Sequence, residues 1–129
     1  MDRDALDRWL DDYERAWRTA STEPLRELFT DDASYSSGPY AVPQRGLAAI
    51  MEFWDEAREG PDEAFTMTRE TIAVEGDTGV VRVEVRYGDP VDQEYRDLWI
   101  VVLDASGRCS HFEEWPFFPQ QPLTADAAH

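Results

Sequence analysis

The chain has 129 residues, enough for one domain that buries about two-thirds of its unfolded surface and too few for a second core of similar size. Twelve basic residues stand against 28 acidic ones, a formal charge of -16 that repels phosphate backbones and anionic headgroups and so argues against nucleic acid and membrane surfaces as partners. With 42% hydrophobic and 12% aromatic residues, the chain has the apolar surface that an acidic disordered segment lacks.

Several chemistries fall away with the composition. Every basic residue is arginine, asparagine is absent and Cys109 is the single cysteine, so a lysine Schiff base, an intrachain disulfide and N-glycosylation are all ruled out. Met1-Asp2-Arg3-Asp4 begins no apolar signal region, and no apolar run approaches the roughly 20 residues of a bilayer span; the expected compartment is the reducing cytoplasm. His111 and His129 are too few for a tetrahedral zinc site, and no glycine-rich phosphate loop occurs. Neither a metal nor a cofactor is expected.

In chain order, Leu6, Trp9, Leu10, Tyr13, Ala16 and Trp17 recur at helical spacing, with Asp7, Asp11, Asp12 and Arg15 opposite. This predicts a first helix from about Asp4 to Ala20. Thr22 is a candidate cap for a short second helix, with Pro24 in its first turn and Leu25, Leu28 and Phe29 on its buried side, ending at Thr30-Asp31-Asp32. A short strand, Ala33 to Ser36, leads into a turn-rich loop through Pro43. A third helix carries Leu47, Ile50, Met51, Trp54 and Ala57 and stops at Gly60-Pro61.

From Phe65 the period changes to two. A strand to a turn at Glu75-Gly76-Asp77, then Val80 to Tyr87, Glu94 to Leu103 and Arg108 to Trp115, form an antiparallel meander. Arg82, Glu84 and Arg86 read as a charged outer stripe answering Glu94 and Arg96 across the ladder. Residues 1–118 form the domain, and the proline-rich segment 119–129 is a tail that leaves it after Phe117-Phe118.

This order of elements, together with Leu28-Phe29-Thr30-Asp31-Asp32-Ala33-Ser34-Tyr35 and Pro43-Gln44-Arg45-Gly46-Leu47-Ala48-Ala49-Ile50, resembles the SnoaL-like and ketosteroid-isomerase members of the nuclear-transport-factor-2-like superfamily. Tyr95-Arg96-Asp97-Leu98-Trp99 and Gly107-Arg108 through Glu114-Trp115 look like their last two strands. The resemblance implies an α+β fold, a cone-shaped barrel of three helices on a curved, mostly antiparallel sheet, with a pocket on the concave face and a homodimer through the convex one. The stretch matching the isomerases' catalytic aspartate reads Ser36-Ser37-Gly38, without a carboxylate. Steroid isomerisation itself is therefore not the expected reaction.

Alternation sorts the candidate residues. Tyr95, Asp97, Trp99 and Val101 share one face of their strand, where a carboxylate among aromatics is desolvated and its pKa raised toward neutrality. On the last strand His111, Glu113, Trp115 and Phe117 form one set and Phe112 and Glu114 the other; the first is assigned to the pocket, with the opposite phase open. Asp97 is then the candidate proton shuttle, and Glu113 or His111 its relay. Tyr13 is the candidate oxyanion donor, because the resemblance implies a tyrosine on the first helix in that role. Trp17, Tyr35, Tyr40, Trp54, Trp99 and Trp115 are candidate walls. The expected function is cofactor-free acid-base chemistry, such as isomerisation, cyclisation or hydration, on a small apolar or aromatic molecule. The alternative is a non-catalytic ligand-binding or assembly module with the same pocket.

Overall fold

The computed structural model describes residues 1–57 and 64–120. Helix α1 spans Arg3–Trp17, with the Asp2 side chain accepting from Ala5 N at 2.8 Å to cap its first turn. It buries Leu6, Trp9, Leu10, Tyr13 and Ala16. The helix stops three residues short of Ala20. Beyond Trp17, hydroxyls take up the backbone groups: Thr19 Oγ1 donates to Arg15 O at 2.7 Å, and Ser21 Oγ accepts from Glu23 N.

Helix α2 is a single turn, Leu25–Leu28, with Pro24 at its N-cap and no side-chain cap, so Thr22 contributes its carbonyl to Leu25 N and not its hydroxyl. Phe29 is extended and opens β1 (Phe29–Ser36), four residues earlier than expected. Its side chain explains the difference, because the extended backbone buries it completely beside Cys109 of the neighbouring strand. Thr30, Asp31 and Asp32 lie within a register shift between two paired segments, where β1 leaves its partner's ladder.

The two-residue strand β2 (Gln44–Arg45) pairs with β1, and helix α3 (Leu47–Ala57) buries Leu47, Ile50 and Trp54. The expected stop at Gly60-Pro61 lies outside the described residues. Strands β3 (Phe65–Glu75), β4 (Thr78–Tyr87), β5 (Gln93–Leu103) and β6 (Cys109–Phe117) form the meander. Gly76, at φ +58°, supplies the left-handed residue of the β3–β4 turn.

The six strands are ordered β2-β1-β6-β5-β4-β3, all antiparallel except the β1–β6 pair. The sheet is curved and open, not a closed barrel. Val81, Val83, Trp99, Val101 and Phe112 fill the core from the inner face, and α1 crosses the sheet so closely that a side-chain carbon at Gly79 would lie 2.6 Å from Leu6 Cδ2. Arg69 of β3 reaches α1 through a 2.6 Å ion pair with Asp11. On the outer face Arg86 pairs with Glu94, Arg96 with Glu84 and Arg82 with Glu70, at 3.4 to 3.8 Å. That is the expected stripe.

Candidate active site

Beside the core the inner face opens into a cleft of about 700 Å³. Its floor is acidic. Asp97 of β5 and Glu114 of β6 both line it, on neighbouring antiparallel strands where Asp97 pairs with Pro116 and Trp99 with Glu114. Asp97 is only 4% exposed. Trp99 Nε1 donates to its Oδ2 at 3.1 Å, while the buried Oδ1 has no partner of good geometry within the protein.

Two carboxyls on neighbouring strands of one cleft floor cannot both ionise freely. Burial pushes the Glu114 carboxyl up to about 8, the negative charge of Asp97 adds to the rise, and a hydrogen bond from Tyr35 partly offsets it. Asp97 is also raised by burial, while hydrogen bonds from Glu114 and Trp99 favour its charged form. Their interaction favours the proton on Glu114 and the charge on Asp97. One group is poised to give a proton and the other to take one.

Tyr35, on β1, stands beside this pair and also lines the cleft. Its ring stacks on Phe112 at 4.9 Å between centroids, and its hydroxyl lies 3.1 Å from that of Tyr13. Burial raises the pKa of both tyrosines, so both hydroxyls stay protonated donors. Tyr13 does not border the cleft; it lies behind Tyr35, stacked on Phe112 at 5.3 Å. The tyrosine that reaches the opening is Tyr35, and Tyr13 reaches it through Tyr35.

The phase assumed for β6 is corrected. His111, Glu113, Trp115 and Phe117 point to the outer face, because pairing with β5 sets Phe112 opposite Val101 and Glu114 opposite Trp99, both inward residues. His111 instead joins an outer network. Its Nδ1 is 2.6 Å from Ser34 Oγ and its Nε2 is 2.9 Å from Glu113 Oε2, while Trp115 Nε1 donates to Glu113 Oε1 at 3.0 Å. Those bonds hold the Glu113 carboxyl below its usual range, the opposite of what a neutral-pH proton shuttle requires. Phe112, expected on the convex face, is fully buried inside. Cys109 is a free thiol pushed up to about 12 by burial.

The expected walls divide. Trp17 and Tyr35 line the cleft, whereas Trp54 and Trp99 are buried behind it and Trp115 is on the outer face. Tyr40 is wholly exposed on the loop after β1. Phe53, Tyr87 and Tyr95 complete the aromatic lining. Alternation from Asp97 puts Tyr95 on the inner face and alternation from Val85 does the same for Tyr87; Phe53 sits on the helical stripe next to Trp54.

Residues 8–112 match the family model for the SnoaL-like domain. The chain belongs to the SnoaL-like family. Solved structures agree on the fold: an NTF-2-like protein of unknown function from Burkholderia xenovorans superposes with a TM-score of 0.70 at 12% identity, covering 97% of this chain and 92% of that one. A ketosteroid isomerase-like protein from Erwinia carotovora gives 0.63 at 20% identity over 89% and 95% of the two chains. The S. rosetta CaMKII hub gives 0.65 at 19% identity over 88% and 95%. No curated protein matches the chain. The same fold thus occurs in a ketosteroid isomerase-like protein and in a hub, so the fold alone does not choose between catalysis and assembly. Among the described residues there is no membrane-spanning helix and no group of three metal-ligating side chains.

Proposed function

We propose that this SnoaL-like protein is a cofactor-independent acid-base enzyme that moves a proton on a small, largely apolar organic molecule held in the cleft. The observation that carries this reading is the Asp97–Glu114 pair, a buried and a half-buried carboxyl on neighbouring strands at the cleft floor, both raised, with Asp97 Oδ1 unpartnered. Asp97 takes a proton from a carbon next to a carbonyl. Tyr35, backed by Tyr13, turns its single O–H from Glu114 to the enolate oxygen as charge develops there. Glu114 gives its proton to the γ-carbon, the far end of the original double bond, which moves to the α,β position; the proton captured by Asp97 then passes to Glu114, and the net result is isomerisation with no oxidant or cofactor. The aromatic lining holds the apolar body of the substrate and limits access of water.

The subunits pair through the outer sheet face, where Leu98, Ile100 and Val102 are half-buried in the single chain. The setting is the cytoplasm.

Exchange of α-hydrogens tests the chemistry without knowledge of the substrate. A panel of cyclic and aryl ketones is incubated in D2O with the protein, and deuterium uptake at the α-carbon is followed by NMR. Uptake that requires Asp97 supports the reading. Ketone binding without exchange, equal in wild type and Asp97→Asn, would favour a non-catalytic binding module.

A further inference from the structure

The outer sheet face carries a second set of reactive groups, away from the cleft. Ser34 of β1 and His111 of β6 are partners in register on the parallel strand pair, and Arg45 of β2 is the partner of Ser34 on its other side. Paired residues share a face, so Arg45, Ser34 and His111 form one row across three strands, with Glu113 two residues beyond His111 on the same face of β6. Their chain neighbours Ala33, Tyr35 and Phe112 point inward and are buried.

The bonds within the set run in one direction. Trp115 Nε1 donates to Glu113 Oε1 at 3.0 Å, and the Glu113 carboxyl, held below its usual range, accepts at Oε2 from His111 Nε2 at 2.9 Å. With its proton on Nε2, the neutral imidazole has a lone pair on Nδ1 that accepts from Ser34 Oγ at 2.6 Å. A serine hydroxyl is a weak nucleophile until a base takes its proton, and the base acts best when a third group orients it. All three stand here at hydrogen-bond distance. The His111 side chain is 39% exposed, so the pair opens to solvent. Arg45, also exposed, flanks Ser34 on the opposite side, where a cation favours negative charge developing beside the hydroxyl.

We propose that Ser34, His111 and Glu113 form an acyl-transfer site on the outer face that takes small esters, separate from the cleft and its chemistry. Ser34 Oγ attacks the ester carbonyl carbon while its proton passes to His111 Nδ1, and the carbonyl oxygen takes up negative charge on the side of Arg45. The bond from carbon to the leaving oxygen then breaks, and the departing alcohol takes the proton from Nδ1. Water repeats the sequence on the ester of Ser34, releasing the acid and restoring the hydroxyl. Leu98, Ile100 and Val102, through which the subunits pair, belong to β5, the next strand in the sheet, so the row lies at the flank of that contact.

The reagent para-nitrophenyl acetate tests it, since release of nitrophenolate is followed by absorbance and an acetyl group left on the protein is located by peptide mass spectrometry. The chain has no lysine amine to take up acetyl groups unspecifically. Wild type is expected to release nitrophenolate and to carry the acetyl group on Ser34. Release should vanish in Ser34→Ala and slow roughly 10²- to 10⁴-fold in His111→Gln, the usual contribution of a positioned base. Glu113→Gln keeps the side-chain shape and should slow release in the same sense; it decides the question if circular dichroism shows that Ser34→Ala does not fold. No release by wild type would overturn the proposal and leave the set as a tie between β1 and β6. So would acetylation of the N-terminus or His111 in place of Ser34, or equal rates in wild type and His111→Gln. Ketone exchange in the cleft is a separate readout, and the acid-base reading stands or falls without this result.

Discussion

Asp97 and Glu114 project from adjacent strands into one cleft floor, where burial raises both carboxyls and the charge of Asp97 raises Glu114 further. The environment, not the residue type, separates their roles: Trp99 donates to Asp97 and favours its charge, whereas Glu114 meets burial and the charge of its neighbour. Substituting each isosterically separates base from acid. Asp97→Asn and Glu114→Gln are expected to fold like wild type and to lose roughly 10²- to 10⁴-fold in ketone exchange rate, the usual contribution of a positioned proton-transfer group. Circular dichroism checks the fold and NMR the exchange.

The same pair makes stability depend on pH. A carboxyl whose pKa is raised in the folded state contributes fully below its unfolded pKa and loses that contribution as pH rises through its folded value. For Glu114 that window runs from 4.5 to about 8, and for Asp97 the direction is the same, starting from 3.8. Melting temperature should therefore fall across this window in wild type and flatten in Glu114→Gln. Glu113, whose pKa is lowered by His111 and Trp115, works in the opposite sense and loses its contribution as pH falls.

Among the tyrosines, order in the chain of hydroxyls sets the size of the effect. Tyr35→Phe removes a donor that borders the cleft and should lower turnover by roughly 10²-fold. Tyr13→Phe leaves that donor in place and removes only its support, so the loss should be smaller and should disappear in the Tyr35→Phe background. A double-mutant cycle on the exchange rate checks this.

Most of the fold was legible because burial imposes its period on the sequence. Leu6, Trp9, Leu10 and Tyr13 can share a face only in a helix, and Tyr95, Asp97 and Trp99 share one only in a strand. Asp97 was accessible for the same reason. The phase of β6 was not, since each of its faces mixes an acid with aromatic residues: Phe112 and Glu114 inside, Glu113 and Trp115 outside. Only the partner strand decides, and a register shift between Val102 and Leu103 breaks any simple count from the preceding turn. The place of Tyr35 depends likewise on stacking with Phe112 across a parallel strand pair, a contact 77 residues away in the chain with no local signature.

The outer face gives two expectations. Light scattering should report twice the 14.9 kDa of one chain, and Ile100→Arg should return it to the monomer by placing a charge on the apolar sheet face. His111→Ala disrupts the Ser34–His111–Glu113 network without touching the cleft, so ketone exchange should be unchanged.

Packing of α1 on the sheet is tested at Gly79, where a methyl group would press on the fully buried Leu6. Gly79→Ala should destabilise the fold by about 1–3 kcal/mol, seen as a lower midpoint in urea unfolding.

The central claim is that the buried pair holds one proton at neutral pH, and carbon-13 NMR of the glutamate side chains measures it directly. Following the Glu114 carboxyl through a pH titration, with Glu114→Gln to assign the signal, should give a midpoint near 8 that falls in Asp97→Asn, where the neighbouring charge is gone. A Glu114 carboxyl that titrates in the ordinary range of exposed glutamates, indifferent to Asp97→Asn, would contradict the account.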